Sequence, residues 1–212
     1  MMGKMHTDNA EGSRSPDVEF SPDEEAVLTG TLLGDGNLAM HGRNARLFVK
    51  HKAAHRSLAD FKRQTFSRFV SMELHEFDQL LNGKRYPSVQ FVTRTHPLFT
   101  SWRGRFYVRG RKIVPSEVTE LLTPLAAAVW FMDDGSADRT GVTLQTHCFD
   151  AEEVELLRAA LSERFGIVAT IRRNKQRPIL YVGKRELPTF AAIIGPHVLS
   201  DLEYKLVPRR KT

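Results

Sequence analysis

The chain has 212 residues, of which 41% are hydrophobic, and it carries a formal net charge of +6. This length allows one large domain or two half-sized repeats that share a core. No apolar run reaches the roughly 18 to 20 residues of a membrane span, and the first residues lack the apolar core of a signal peptide. The single cysteine, Cys148, excludes an internal disulfide framework. We therefore expect a protein of the cytoplasm or of an organelle, neither secreted nor in a membrane, whose basic charge favours a nucleic-acid partner.

The first structural signal is a helix start that follows a polar leader. Residues 1–20 are polar and mixed in charge, which predicts a disordered segment. Ser21 then precedes Pro22, and Glu24 follows three residues after the serine, so the three residues form a capping box that begins a helix. The apolar helix predicted from this start ends at Asp35.

The rest of the chain alternates between strand and helix patterns. Strand patterns cover residues 45–50, 88–93, 141–146, 167–171 and 179–182. Helical patterns cover residues 58–69, 96–107, 150–165 and 187–194. Together with the two apolar helices, each half then has the order helix, strand, helix, strands, helix, which indicates an internal duplication. We place the first repeat at residues 21–115 and the second at residues 116–212.

The two apolar helices of this duplication end alike, at Asp35-Gly36 and at Asp134-Gly135. A carboxylate at the last turn of a buried helix is costly unless something compensates its charge. A single Asp-Gly pair is usually an ordinary turn after a helix. Two copies, one in each half, predict instead that the two acids meet around a cation, as in a metal-dependent nuclease built from two similar halves.

Both helix ends resemble the defining motif of the LAGLIDADG homing endonucleases. Residues 121–136 are similar to the second motif of the single-chain, intron-encoded branch of that family. The likeness extends through Val114-Pro115, Gln145-Thr146 and residues 204–206, and it covers about residues 24–208. The nine-residue motif is incomplete, since its first acid and its glycine are replaced at some positions, but both last acids are present.

The resemblance implies an α+β fold of two pseudo-symmetric αββαββα repeats. The motif helices would pack at the centre, where Gly30 and Gly34 allow close approach, and two antiparallel sheets would form a saddle on double-stranded DNA. The implied function is a site-specific double-strand DNA endonuclease, acting as a monomer with Mg²⁺ or another divalent cation such as Mn²⁺. An intron RNA maturase, which would bind intron RNA, and a DNA-binding protein without catalytic activity are the alternatives.

The resemblance also assigns residues to the cleavage chemistry. Asp35 and Asp134 would be catalytic and would bind the metal. The backbone carbonyls of Gly34 and Asp133 are further candidate metal ligands, whereas the Asp133 side chain has no assigned role.

Two lysines, one late in each half, complete the implied catalytic set. Lys112 and Lys205 align with lysines near the two cleavage centres of the single-chain family members, where each could stabilise developing negative charge. His51 and His55, four residues apart, have no evident third metal ligand and are expected at the surface or in contact with phosphate.

Polar side chains on strands and in basic clusters predict contacts with DNA bases and phosphates. Strand positions that alternate onto one face and the clusters at residues 103–112 and 172–177 supply them. The predicted contacts are Arg46, Lys50, Arg103, Arg105, Arg109, Arg111, Gln145, His147, Arg172, Asn174, Lys175 and Arg177.

Overall fold

The computed structural model describes residues 19–208, which form helices and antiparallel strands. The helices are α1 (Pro22–Leu33), α2 (Arg56–Thr65), α3 (Pro97–Phe106), α4 (Val118–Leu121), α5 (Pro124–Asp134), α6 (Ala151–Phe165) and α7 (Leu187–Ile194). The strands are β1 (Asn37–His41), β2 (Asn44–Lys52), β3 (His75–Leu81), β4 (Lys84–Val92), β5 (Tyr107–Val108), β6 (Arg111–Lys112), β7 (Gly135–Ala137), β8 (Val142–Gln145), β9 (Thr170–Asn174) and β10 (Arg177–Val182). In this part of the chain, none of the helices has the length and apolar character needed to cross a bilayer.

The fold is an internal duplication, as the sequence predicts. The series α1-β1-β2-α2-β3-β4-α3 recurs as α5-β7-β8-α6-β9-β10-α7. The two sheets have the same strand order, β1-β2-β4-β3 and β7-β8-β10-β9, and all their neighbouring strands are antiparallel. This is the expected α+β fold. The repeat boundary that we place between residues 115 and 116 falls in the segment that connects the two series and stays a prediction.

Helices α1 and α5 pack against each other so closely that a side chain on Gly30 of α1, or on Gly34 directly after it, would collide with α5. A Cβ atom on Gly30 would lie 2.3 Å from the carbonyl oxygen of Ala126. One on Gly34 would lie 2.6 Å from the Cβ atom of Asp133. Both helices are buried over most of their length, which explains why they are apolar on every face. The backbones can approach only because these two positions lack side chains.

Local capping signals start the motif helices where the sequence predicts. The Ser21 hydroxyl accepts from the backbone N–H of Glu24, and the Glu24 carboxylate accepts from the backbone N–H of Ser21. Thr123 caps α5 in the same way, through the backbone N–H of Ala126. These bonds satisfy amides that a helix start otherwise leaves without partners.

Strands β1, β3 and β7 lack a clear sequence signal. β3 is exposed or half-buried at every position, so no apolar face produces the alternation that marks a half-buried strand. β1 and β7 are short and follow the Asp-Gly turns directly. Their pairing with β2 and β8, rather than their own composition, makes them strands.

Most of the leader predicted for residues 1–20 lies outside the described residues. Phe20, which is described, is only 7% exposed. It packs against four aromatic rings, those of Phe66, Phe69, Phe99 and Trp102. Core packing therefore starts ahead of α1, before the position at which the sequence predicts order.

Candidate active site

The two motif aspartates lie together at the same end of the α1–α5 pair. Asp35 follows α1 after a single glycine, Asp134 is the last residue of α5, and both line one cavity of about 280 Å³. Burial, followed by the charges of Asp35 and Asp133, raises the pKa of Asp134 to about 7. Burial and the charge of Asp133 also raise the pKa of Asp35, although its side chain keeps some exposed surface. The structure thus brings the two predicted carboxylates into one electrostatic unit.

The charges of Lys112 and Lys205 act on this acid pair from a distance and only partly offset the effect of burial. Within residues 19–208, neither Asp35 nor Asp134 has a cationic side chain at ion-pair distance. In the same part of the chain, no group of three or more His, Cys, Asp or Glu side chains could enclose a metal ion. Two carboxylates with open coordination positions suit a hard divalent cation that takes its remaining ligands from water and phosphate. The donor set fits Mg²⁺ or Mn²⁺ shared with a nucleic-acid backbone.

The two predicted lysines hold the backbone at the ends of the motif helices. Lys112 donates to the carbonyls of Gly34 and Gly36, each at 2.8 Å from its Nζ atom. Lys205 donates to the carbonyl of Asp133 at 3.4 Å and to that of the residue before it. Burial lowers the pKa of both lysines, and the nearby aspartates partly offset this effect. The two carbonyls proposed as metal ligands therefore already accept from an ammonium group, and their metal ligation stays a prediction.

Each lysine belongs to a separate cavity. The Lys112 cavity, the one of about 280 Å³, is lined by Asp35, Asp134, Lys112, Gln145, His147 and Cys148 among others. The Lys205 cavity has about 540 Å³ and is lined by Asp35, Asp133, His51, His55, Tyr204 and Lys205 among others. Asp35 lies between the two cavities and borders both. The pair of cavities matches the two-centre arrangement that a duplicated nuclease requires.

A buried ion pair that sequence reasoning missed lies beside the Lys205 cavity. The Lys62 Nζ atom is 2.7 Å from both carboxylate oxygens of Asp133, and both side chains are inaccessible to solvent. His51 is 3.4 Å from the same Nζ atom and is 6% exposed, so its predicted surface position is wrong. Burial and the charge of Lys62 lower the pKa of His51 to about 2, which leaves Lys62 as the counter-ion of Asp133. The available signal was a lysine at an inward helical position, four residues after the buried Leu58.

The strand residues predicted to contact DNA share one face of each sheet. On β2, Arg46 and Lys50 alternate with buried apolar residues and so lie on the face away from the core. In the second sheet, Ile179 pairs with both Gln145 and Arg172, which places all three on the same face. The remaining predicted residues here are Asn174 and Arg177, which pair with each other on that face, Lys175 in the β9–β10 turn and the exposed His147 after β8.

Most arginines of the basic cluster at residues 103–112 have partners within the protein, and so has Arg172 of the second sheet, which lies 3.1 Å from the Asp138 carboxylate. Arg103 donates to the carbonyl of Leu38 at 2.6 Å. Ion pairs at 2.8 Å link Arg105 to Glu117 and Arg111 to Glu153. The remaining residue, Arg109, lies in the β5–β6 turn with a positive φ of 49°. DNA contact by these four arginines stays a prediction that rests on their charge alone.

Known proteins are similar to this chain in sequence, and solved structures are similar to it in fold. The "Cytochrome b mRNA maturase bI2" of Debaryomyces hansenii is 26% identical over 188 residues, covering 85% of this chain and 72% of the relative. The "Probable intron-encoded endonuclease 1" of Wickerhamomyces canadensis is 26% identical over 194 residues, covering 87% of this chain and 84% of the relative.

Two solved structures of DNA complexes have the same fold. The homing endonuclease I-WcaI bound to its DNA recognition sequence has a TM-score of 0.83 at 23% identity, covering 93% of this chain and 96% of that one. I-DmoI in complex with DNA and Mn has a TM-score of 0.50 at 13% identity, covering 82% and 96%. The model of the "LAGLIDADG DNA endonuclease family" matches residues 25–190. This chain, with one motif helix in each of two repeats, belongs to the LAGLIDADG DNA endonuclease family.

Proposed function

We propose that this protein is a site-specific endonuclease that breaks both strands of double-stranded DNA as a monomer. The observation that carries the proposal is the pair Asp35 and Asp134, which line one cavity at the ends of two packed helices and form no ion pair with a side chain of the described residues. Burial and a neighbouring carboxylate raise the pKa of each of these two acids, and such carboxylates suit a site completed by a metal ion. The relatives support this function, since one is named an intron-encoded endonuclease and a structure of similar fold is bound to its recognition sequence.

The proposed metal site uses the two carboxylates as its protein ligands. When bound, Mg²⁺ or Mn²⁺ would activate water and stabilise the charge on the attacking and leaving oxygens. Asp35 and Asp134 hold the site in place because their backbones continue from rigid, buried helices. Metal dependence also agrees with the Mn in the DNA complex of I-DmoI.

The two lysines supply positive charge at the two centres. Lys112 and Lys205 are each anchored through carbonyl oxygens at a motif-helix end, so their ammonium groups are fixed before substrate arrives. A preorganised cation next to a scissile phosphate stabilises developing negative charge without reorganisation during the reaction. We propose that Lys112 serves one strand and Lys205 the other.

DNA would lie across the two exposed sheet faces. These faces present Arg46 and Lys50 on one sheet and Gln145 and Arg177 on the other, where Arg172 is paired with Asp138. Arginine and glutamine can form paired hydrogen bonds with base edges in the major groove, and any cation can contact phosphate. We assign target reading to these faces rather than to the arginines near residue 105, whose charge is largely paired within the protein.

A plasmid library with randomised inserts tests the proposal. The protein and Mg²⁺ are added, linearised molecules are captured and sequenced, and EDTA serves as the metal-free control. We expect one recovered sequence family that, when cloned, is cut on both strands. Linearisation no greater than with the Asp134→Asn protein would contradict the proposal.

An intron RNA maturase is the second candidate function, because the D. hansenii relative carries that name. The fold could bind structured RNA through the same basic faces. A gel-shift competition between the captured DNA site and the transcript of the host intron separates the two functions. RNA binding at nanomolar protein together with accelerated splicing would add the maturase activity. The third alternative, a silent DNA-binding protein, is disfavoured because both motif carboxylates are in place.

A further inference from the structure

The ion pair between Lys62 and Asp133 joins the two repeats at the centre of the molecule. Lys62 lies on α2 of the first repeat, whereas Asp133 lies on α5 of the second. Both side chains are fully buried, and the Nζ atom contacts both carboxylate oxygens at 2.7 Å. Taking two charges out of water is expensive, and well-packed apolar residues usually replace such a pair without loss of stability. The pair therefore calls for an explanation other than stability.

The equivalent place in the other half carries no charge. Lys62 is the seventh residue of α2, and the seventh residue of α6 is Leu157, which is fully buried. The residue before the motif aspartate is Asp133 in one repeat and Gly34 in the other. The fold thus accepts an apolar side chain at this site, as α6 demonstrates. The charge is a property of one half alone.

Asp133 connects Lys62 to the Lys205 cavity. Its carboxylate binds Lys62, its carbonyl accepts from Lys205 at 3.4 Å, and its peptide bond leads directly to Asp134. The side chain of Asp133 also occupies the space beside Gly34, where a Cβ atom would lie 2.6 Å from the Cβ and Oδ2 atoms of Asp133. A change at Lys62 therefore reaches the Lys205 cavity through Asp133, which lines it, and reaches the Lys112 cavity only through one more residue, Asp134.

We propose that Lys62 is a positioning residue for the Lys205 cavity, so that breakage of the DNA strand at that cavity depends on Lys62 more strongly than breakage of the other strand does. The inference rests on the proposed endonuclease function and adds a strand-specific positioning role to it. Lys62 touches neither substrate nor metal in this scheme, and it acts only through Asp133. The Lys112 cavity has its own lysine, anchored on carbonyls just after the end of α1, and Asp133 is not among the residues that line it.

The test uses the double variant Lys62→Met/Asp133→Asn, which removes both charges and leaves no unpaired carboxylate in the core. Each strand of a duplex containing the captured target is labelled at its own end, and both cleavage rates are measured in single turnovers at saturating protein. Lys205→Met and Lys112→Met identify which strand belongs to which cavity, and the strand that each variant slows is named after that variant. We expect the double variant to slow the Lys205→Met strand by about tenfold to a hundredfold, the scale of a small misplacement of reacting groups.

Leu157→Met is the matched control, since it changes the equivalent buried position of the other half. It should leave both rates within about threefold of the original, because a volume-conserving apolar exchange is well tolerated. If the double variant does not fold, Lys62→Leu/Asp133→Asn repeats the comparison, because it also removes both charges and places at position 62 the side chain found at the equivalent position 157.

Hydrogen exchange without metal or DNA supplies a readout other than activity. The amide of Gly135 donates to the carbonyl of Phe131 at the end of α5. We expect faster exchange in peptides covering residues 131–135 of the double variant, with no change in peptides covering residues 28–33 of α1. Unchanged exchange at both helix ends would overturn the positioning role.

The cleavage rates of the two DNA strands distinguish the possible results. Selective slowing of the Lys205→Met strand supports the inference. Equal slowing of both strands, slowing of the Lys112→Met strand alone, or no slowing of either would overturn it. If the protein without substitutions breaks neither strand, the proposed endonuclease function is wrong, and this inference with it.

Discussion

The Lys112 and Lys205 cavities flank the same pair of motif helices, yet their surroundings differ. Each has a lysine that donates to carbonyls at a motif-helix end. Behind the Lys205 cavity the core contains the Lys62–Asp133 ion pair, whereas the equivalent position behind the other is the apolar Leu157. The two repeats therefore share the backbone and have an aspartate and a lysine at each motif-helix end, while the packing behind each cavity differs. The internal duplication of the fold therefore does not make the surroundings of the two cavities equivalent.

The largest expected effect comes from removing either carboxylate. Asp35→Asn or Asp134→Asn should lower double-strand cleavage by roughly a thousandfold or more, because several kcal/mol of metal-derived stabilisation are lost and each 1.36 kcal/mol is tenfold in rate. DNA affinity should change little, since it comes mainly from basic contacts. Plasmid linearisation and gel shift on the same proteins measure both quantities.

The two carboxylates also differ in position, which sharpens this test. Asp35 borders both cavities and Asp134 borders only the Lys112 cavity. Any residual nicking should therefore survive in Asp134→Asn rather than in Asp35→Asn. A fully active Asp134→Asn protein would contradict the site assignment itself.

Replacing either lysine should have the next largest effect. Lys112→Met or Lys205→Met should lower the single-turnover rate by about a hundredfold or more, the scale of one lost electrostatic donor. The two variants should slow opposite strands, because each lysine occupies its own cavity. End-labelled duplexes at saturating protein measure the two rates. Lost affinity with an unchanged rate would make both lysines phosphate-binding residues instead.

The ion pair behind the Lys205 cavity predicts a difference in folding stability. Lys62→Met leaves the Asp133 carboxylate buried without its partner and should lower the free energy of unfolding by about 3 to 5 kcal/mol. Leu157→Met, the equivalent change in the other half, should cost less than about 1.5 kcal/mol. Urea unfolding followed by circular dichroism measures both. Equal losses would show that the two sides of the core are alike.

The raised pKa of Asp134 predicts that the metal-free protein loses stability as the pH rises. This pKa lies at about 7 in the folded protein against an ordinary value of 3.8. The contribution is therefore fully present below about pH 4 and is lost as the pH rises through 7. After allowance for solvent screening, we expect a loss of about 1 to 2 kcal/mol, at 1.36 kcal/mol for each pKa unit.

Asp134→Asn isolates this pH effect from that of other groups. The variant should be more stable than the original protein at pH 8 and no more stable at pH 4, both in EDTA. Melting curves at the two pH values decide the matter. A constant difference between the proteins would show that the carboxylate titrates at its ordinary pKa.

The smallest expected effect distinguishes the sheet faces from the paired arginines. Removal of one phosphate contact lowers the slope of log affinity against log salt by about 0.9. We expect this change for Lys50→Gln, whose side chain is exposed on β2, and none for Arg105→Gln, whose guanidinium is paired with Glu117. Salt titrations of DNA binding measure both slopes. The opposite result would assign the phosphate contacts to the cluster near residue 105.

Much of the fold could be predicted because its signals are local. The capping box at Ser21, the paired Asp-Gly turns and the period of the apolar residues each act within a few positions along the chain. β3 could not be predicted, since a strand without a buried face has no period. The strand positions that face away from the core could be predicted because alternation fixes which face of a sheet a side chain occupies.

The sequence by itself determined the duplication, the two motif helices and the carboxylates at their ends. Only the tertiary structure decided that Lys62 pairs with Asp133, 71 residues away, and that Arg105 and Arg111 have acidic partners. A charged side chain has no periodicity that indicates its partner, because the partner is chosen by how distant helices pack. The differences between the two cavities therefore became visible only where the repeats meet.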